Sequence, residues 1–247
     1  MTINVLVNGA FGRMGQLVTK AVRDEPELEL VGQTGREYDL KRAIIDSGAQ
    51  VVIDFTHPDS VYGNTVDIIT AGAHPVVGTS GLKKDQIIQL QTMCEQIKRG
   101  GLIVPNFSMG AVLMMKCAKE IAAHLSDVEI IEMHHANKVD SPSGTAIRTA
   151  ELIAQGRQLS PVQEERKTSL NQTRHQARGM NYDGVPIHSV RLSGVLASQT
   201  VIFGGIGETL SIHHESIQRE SFMPGVCYAC KKVVSLHRLV YGLEEIL

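Results

Sequence analysis

Along the first hundred positions, short β-branched apolar runs alternate with longer stretches of helical spacing. Ile3 to Val7 is a run of the first kind, Met14 to Arg23 places its apolar residues at helical intervals, and Leu28 to Val31 is apolar again. That alternation predicts a βαβ unit. It continues through Val51-Val52-Ile53-Asp54-Phe55, a helix from about Ser60 to Ala71, a strand from His74 to Val77, a helix from Lys84 to Lys98 and a strand at Leu102-Ile103-Val104. Repetition of this kind gives a parallel sheet with helices on both faces.

The rhythm changes around Asn106-Phe107-Ser108. A helix from Ala111 to His124 leads into the strand Val128 to Glu132, a helix follows from about Ala146 to Ala154, and β-rich segments crowd together at Ile187 to Leu192, Ser198 to Phe203 and Glu208 to Glu215. This is the pattern of a second, α+β domain of more antiparallel character. After Met223-Pro224-Gly225 a helix is expected to run to about Leu239, and the apolar tail Tyr241 to Leu247 is expected to return to the first domain. The expected organisation is an α/β Rossmann-type domain over residues 1–107, rejoined by 217–247, and an α+β domain over 108–216. The polar stretch from Arg157 to Arg178, which carries Glu164, Glu165, Arg166, Lys167, Arg174 and His175, reads as a solvated loop.

Composition narrows the function classes. With 24 basic and 26 acidic residues dispersed over 247 positions, and a formal net charge of -2, the chain has no electrostatic footprint for nucleic acid. The opening Met-Thr-Ile-Asn-Val-Leu-Val lacks a basic n-region and a long apolar core, and no segment approaches the roughly 20 apolar residues of a membrane span. A cytoplasmic protein is expected, with a small-molecule partner. The four cysteines at 94, 117, 227 and 230 are too few and too scattered for a disulfide framework. Cys227-x-x-Cys230 lacks a second pair at zinc spacing, so it reads as core packing, and no metal site is expected.

Two stretches carry chemistry. Gly9-Ala10-Phe11-Gly12-Arg13-Met14-Gly15 follows a strand and opens a helix, the context in which a glycine-rich turn receives the pyrophosphate of a dinucleotide. Its G-x-x-G-x-x-G spacing departs by one residue from the usual G-x-G-x-x-G, so its place in the strand–turn–helix unit gives it weight. At the end of the second strand the sequence reads Gln33-Thr34-Gly35-Arg36-Glu37, with no acid at the strand end to hold a ribose 2′-hydroxyl. Arg36 is therefore the candidate contact for a 2′-phosphate, and the expected cofactor is NADPH, NADH or both. Gly78-Thr79-Ser80-Gly81 and Pro105-Asn106-Phe107-Ser108 stand where later parallel strands end, positions suited to the nicotinamide ribose and ring, with Phe107 a candidate to pack against that ring.

The second stretch runs from His134 to Ala146 and combines two imidazoles, an ammonium and an anion-cradling turn. His134 shares a strand face with Glu132, whose carboxylate can orient the ring, while His135 points the other way unless the strand has ended. Lys138 follows on a turn and can supply a proton or hold a carboxylate. Ser143-Gly144-Thr145 then opens a helix, presenting N–H groups and hydroxyls to an anion.

Together, Gly9 to Gly15, Asp54-Phe55-Thr56, Gly78 to Gly81, Asn106-Phe107-Ser108-Met109-Gly110, the His134 to Ala146 run and, more weakly, Val190-Arg191 and Gly207-Glu208 resemble the 4-hydroxy-tetrahydrodipicolinate reductase (dihydrodipicolinate reductase) family of lysine and diaminopimelate biosynthesis. The resemblance implies an NAD(P)H-dependent oxidoreductase acting on a small cyclic dicarboxylate, with a second domain that binds substrate and builds a homotetramer. It implies His134 as proton donor or acceptor, Lys138 as proton donor, and His135, Gly144 and Thr145 as carboxylate ligands, with Ser143 assisting. The chain departs from the family where a Gly-Glu-His trio is usual, carrying Ser193-Gly194-Val195-Leu196-Ala197-Ser198-Gln199 after Arg191. The rival readings are a semialdehyde or other imine reductase of the same architecture and a dinucleotide sensor without turnover. The first would call for a cysteine nucleophile or lack the doubled histidine; the second has no use for the His134 and Lys138 pair.

Overall fold

The computed structural model describes residues 2–159 and 177–247. The chain packs as two compact units, one formed by Met1–Met109 with Arg219–Leu247 and the other by Gly110–Gln218. The six charged positions from Glu164 to His175 on which the solvated-loop expectation rested lie outside the described residues.

In the first unit β1 (Ile3–Asn8), α1 (Arg13–Asp24), β2 (Leu28–Thr34), α2 (Leu40–Ser47), β3 (Val51–Asp54), α3 (Val61–Thr70), β4 (His74–Val77), α4 (Lys84–Gln96) and β5 (Gly101–Ile103) succeed one another. The chain returns to this unit as α7 (Met223–Val233) and β11 (Leu239–Tyr241). The six strands form one parallel sheet in the order β11-β5-β4-β3-β1-β2. Val5, Leu6, Val7, Val51, Val52 and Ile53 are wholly buried, as strands covered on both faces require. From β1 the chain steps outward to β2 and then crosses back to β3 on the other side, so the carboxyl ends of β1 and β3 flank the switch point where such sheets take their ligands.

Two differences from the sequence reading have local causes. The helix expected to run to about Leu239 ends at Val233, where turns from Lys232 to Ser235 and from Val233 to Leu236 close it and free Leu239–Tyr241 to pair with β5. α2 was not anticipated, yet both its ends are signalled. Asp39 caps it by accepting from the Arg42 N–H at 3.0 Å, and Gly48 ends it in the left-handed region at φ 63°.

The second unit holds α5 (Met109–Ala122, whose first residue belongs to the first unit), β6 (Asp127–His134), α6 (Gly144–Gln158), β7 (Met180–Tyr182), β8 (Val185–Arg191), β9 (Ala197–Gly205) and β10 (Glu208–Ser216). Its sheet order is β10-β9-β6-β8-β7, antiparallel except for the central β6–β8 pair. Met114 and Ala118 of α5, and Ala146, Ala150 and Ile153 of α6, pack with Val128, Ile130, Ile187, Val201 and Phe203 in one core. Burial alternates along β6, so Val128, Ile130 and Glu132 share the covered face. A carboxylate thus takes a place the period-two pattern assigns to a core residue.

Candidate active site

In the first unit an open cleft of about 640 Å³ lies at the switch point, lined among others by Asn8, Gly9, Phe11, Gly12, Arg36 and Tyr38. The three glycines of the turn have separate tasks. Gly9 adopts φ 81°, and a Cβ there would lie 2.2 Å from the Phe55 carbonyl oxygen; a Cβ on Gly15 would lie 2.0 Å from the Gly9 oxygen. Gly12 caps α1, and a Cβ on it would meet only the Gly9 oxygen, at 3.5 Å. The N–H groups of Gly9 and Ala10 both donate to the Thr34 carbonyl, and that of Gly12 to Gly9. Ala10 itself is buried. With no side-chain cap on the helix, the N–H groups of Arg13 and Met14 keep the donor capacity that suits a pyrophosphate.

Arg36 stands exposed on the cleft wall beside Tyr38, whose ring stacks on Phe11 with centroids 6.0 Å apart. His57 and Asn64 line the cleft as well. Sequence reading missed Tyr38, His57 and Asn64, because single polar or aromatic residues after a strand or on a helix carry no spacing signal. Gly78, Thr79, Ser80, Pro105, Asn106 and Phe107 are not among the residues lining this cleft, but Gly78, Thr79 and Phe107 contact Phe55 or Thr56, which do line it. The Thr79 hydroxyl accepts from the Thr56 N–H at 2.7 Å. Phe107 is buried, with its ring 5.5 Å from that of Phe55, and a Cβ on Gly78 would strike both rings. The ring expected against a nicotinamide is therefore packed inside, and the Phe107 carbonyl lies close against Gly225. Asn106 braces the same loop by accepting from the Ser108 N–H at 2.8 Å.

In the second unit the His134 run is built around Glu132, which is fully buried. Its Oε2 accepts from His134 Nδ1 at 2.6 Å and Arg191 Nη1 at 2.9 Å; its Oε1 accepts from Arg191 Nη2 at 2.9 Å and the Ser143 N–H at 3.2 Å. Burial pushes the carboxyl up, but hydrogen bonds from His134, Arg191 and Ser189 outweigh it and hold the group at about 2. Glu132 therefore stays ionised, fixes the proton of His134 on Nδ1 and leaves Nε2 for a ligand. Arg191 comes into reach because β8 runs parallel to β6 with Arg191 opposite His134. Its Nη2 also donates to the Asp140 carbonyl at 2.6 Å, which pins the loop beyond the strand.

β6 ends at His134, so His135 opens a turn, closed by the Lys138 N–H donating to the His135 carbonyl at 3.1 Å, instead of facing the far side of the sheet. Lys138 Nζ donates to Asp140 Oδ1 at 2.8 Å; burial pushes the Asp140 carboxyl up, but Lys138 outweighs this and holds it below its usual range. The Ser143 hydroxyl caps α6, accepting from the Ala146 N–H at 3.2 Å, while Gly144 is exposed at the first helical position with open space around it. Thr145 is joined through its carbonyl to the Thr149 hydroxyl at 2.7 Å, which in turn accepts from Gln199 Nε2 at 2.8 Å. Gln199, in the stretch that departs from the family pattern, thus reaches the helix carrying the Ser-Gly-Thr turn, a link that only the fold displays. No cysteine stands at a strand end: Cys94 lies in α4, Cys117 in α5, and Cys227 and Cys230 in α7, all as free thiols. Among the described residues no group of histidine, cysteine and carboxylate side chains is placed to hold a metal ion.

Comparison with known proteins agrees across the chain. The family described as dihydrodipicolinate reductase, N-terminus, matches residues 3–107, and that described as dihydrodipicolinate reductase, C-terminus, matches 110–247. A 4-hydroxy-tetrahydrodipicolinate reductase of Coxiella burnetii is 50% identical over 247 residues, covering all of both chains. The dipicolinate-bound dihydrodipicolinate reductase from Paenisporosarcina sp. TG-14 superposes with a TM-score of 0.85 at 38% identity, again covering all of both chains. An engineered D-amino acid dehydrogenase bound to NADP+ shares the fold alone, with a TM-score of 0.60 at 14% identity over 99% of this chain and 94% of its own. Two family matches that together span nearly every residue, and full-length relatives at these identities, place this chain in the dihydrodipicolinate reductase family.

Proposed function

We propose that this chain catalyses the NAD(P)H-dependent reduction of 4-hydroxy-tetrahydrodipicolinate to tetrahydrodipicolinate, in lysine and diaminopimelate biosynthesis. The observation that carries the reading is the intact His134-to-Thr145 run, held by Glu132 and Arg191, in a chain that matches reductases of that name along its whole length. The first unit binds the dinucleotide: the open N-terminus of α1 suits the pyrophosphate, and Arg36, which lines the same cleft, would meet a 2′-phosphate, so NADPH is accepted at least as well as NADH. The second unit binds substrate and carries the contacts of a homotetramer. Four free thiols fit a cytoplasmic setting, and among the described residues no helix is long and apolar enough to cross a membrane.

Bound NADPH or NADH supplies the hydride. The chain's own residues do the rest. Gly144 and Thr145 present the N-terminus of α6 to one substrate carboxylate, with His135 as a further ligand and Ser143 holding the turn in shape. Loss of the 4-hydroxyl as water leaves the conjugated ring; hydride addition to that ring gives an enamine, which must gain a proton. His134 Nε2, its tautomer fixed by Glu132, and the Lys138 ammonium, steadied by Asp140, are the groups that move it.

Purified protein is expected to oxidise NADPH or NADH, followed by absorbance, only when given the condensation product of pyruvate and aspartate semialdehyde. His134→Gln and Lys138→Cys should each lower kcat by about 100-fold or more while leaving coenzyme dissociation constants within about threefold of wild type. Wild-type turnover in both variants would falsify the site assignment, and absence of oxidation by the unaltered protein would overturn the reaction.

A further inference from the structure

Asp54 ends β3 in the middle of the first unit's sheet and is fully buried, following Val51, Val52 and Ile53, which fill the same interior with apolar side chains. Five donors converge on its carboxylate. Oδ1 accepts from the Thr56 N–H at 3.2 Å, the Thr56 hydroxyl at 2.7 Å and the Thr79 hydroxyl at 2.5 Å. Oδ2 accepts from Asn8 Nδ2 and Asn64 Nδ2, each at 2.9 Å. Among the described residues no lysine, arginine or histidine forms an ion pair with it. A desolvated carboxylate is costly even when hydrogen-bonded, and packing alone calls for another valine here.

The donors come from four separate places: the end of β1, the segment after β3, helix α3 and the loop after β4. Three of the donor residues, Asn8, Thr56 and Asn64, also line the cleft. The network reaches further through Asn8, whose Oδ1 accepts from the Thr34 hydroxyl at 2.9 Å, while the Thr34 carbonyl holds the N–H groups of Gly9 and Ala10. One buried carboxylate therefore connects the glycine turn, the Thr56 segment and the Thr79 loop, which share no backbone pairing of their own beyond the strand ends.

We propose that Asp54 is a positioning residue for the coenzyme: its carboxylate presets the three loops at the switch point in the arrangement that receives the dinucleotide. The inference rests on the reading of this cleft as the nucleotide site. Asp54→Asn turns one acceptor into a donor facing other donors, so the loops lose their common anchor while the strand keeps its shape. The dissociation constants of NADPH and NADH, titrated separately on the full chain, are expected to rise about tenfold to 100-fold, by the same factor for both, because the network does not include Arg36. At saturating coenzyme kcat should stay within about threefold of wild type, a split that general loosening of the fold does not produce.

Val52→Ala, a buried β3 change outside the network, is the control, and is expected to lower the melting temperature yet leave both dissociation constants within about twofold of wild type. Should Asp54→Asn not fold, Thr79→Val removes one of the five donors at constant shape, together with the acceptor of the Thr56 N–H, and a several-fold rise in both constants is expected. Unchanged coenzyme binding in whichever of these two variants folds overturns the inference, as does a rise in the Val52→Ala control equal to that of Asp54→Asn. A wild-type chain that binds neither coenzyme overturns the cleft reading and the inference together; coenzyme binding by wild type with wild-type constants in the variants overturns the inference alone.

Discussion

Arg191 grips Glu132 through both carboxylate oxygens, Nη1 on Oε2 and Nη2 on Oε1, each at 2.9 Å. The glutamate is fully buried and the arginine half-buried, and the same carboxylate orients His134. A bidentate arginine lets a carboxylate remain charged inside the fold, where it can fix a histidine tautomer.

Removing the carboxylate's charge should therefore uncouple activity from binding. Glu132→Gln leaves His134 free to take either tautomer, and kcat is expected to fall about 100-fold or more, with coenzyme binding unchanged. Arg191→Met leaves Glu132 buried without its cation and is expected to destabilise the second unit by about 3 kcal/mol in urea denaturation. If both variants turned over normally, the network would be packing and nothing more.

The same carboxyl gives the fold an acid limit. Its folded value of about 2 lies below the usual 4.5, so the stability it contributes is present in full above pH 4.5 and is lost as pH falls through about 2. Between neutral pH and about pH 2, wild type should lose more unfolding free energy than Glu132→Gln, by up to about 3 kcal/mol. Parallel pH curves for the two proteins would show that the carboxyl is not held down in the fold.

How much of this was legible in the sequence depends on the kind of interaction. Parallel strands announce themselves because Val51-Val52-Ile53 or Val5-Leu6-Val7 must be apolar on both faces, and Glu132 with His134 follows from the period of a strand. Gly9 and Gly15 were readable because a close backbone approach excludes any side chain. What could not be read were partners joined by strand order: Arg191 lies 59 residues from Glu132, and Gln199 lies 50 from Thr149. The burial of Phe107 was equally hidden, since the ring and glycine that enclose it come from the loops after β3 and β4. Asp54 stood out in the sequence only as part of a family resemblance; its five donors arise from four elements.

The glycine turn offers a separation of folding from binding. A methyl on Gly15 would press into the backbone of Gly9 and Ala10, at 2.0 and 2.7 Å, and Gly15→Ala is expected to destabilise the first unit by about 2 kcal/mol or more. Gly12→Ala meets only an ordinary contact and has extended backbone that alanine accepts, so its melting temperature should match wild type. Its methyl nevertheless stands at the cap of α1, and coenzyme dissociation constants should rise about tenfold. Thermal melts and coenzyme titrations on both variants would separate the two roles; full-strength binding by Gly12→Ala would place the pyrophosphate elsewhere.

A parallel separation is built into the start of α6. Ser143 is buried and its hydroxyl is engaged as the cap, so Ser143→Ala should cost about 1 kcal/mol of stability, with a modest rise in KM as the helix end loosens. The Ser143 N–H bond to Glu132 survives that change, and His134 should keep its orientation and most of its kcat. Gly144 differs in every respect. Its surroundings are open, so alanine there should leave the melting temperature at or slightly above wild type, alanine being the better helix former. Its methyl would nonetheless occupy the approach to the helix N-terminus, where a substrate carboxylate must come within hydrogen-bonding distance. KM for substrate is expected to rise about tenfold or more in Gly144→Ala, with coenzyme KM unchanged. A wild-type substrate KM in that variant would move the carboxylate off the end of α6 and leave Lys138 and His135 as the only groups of the run able to hold it.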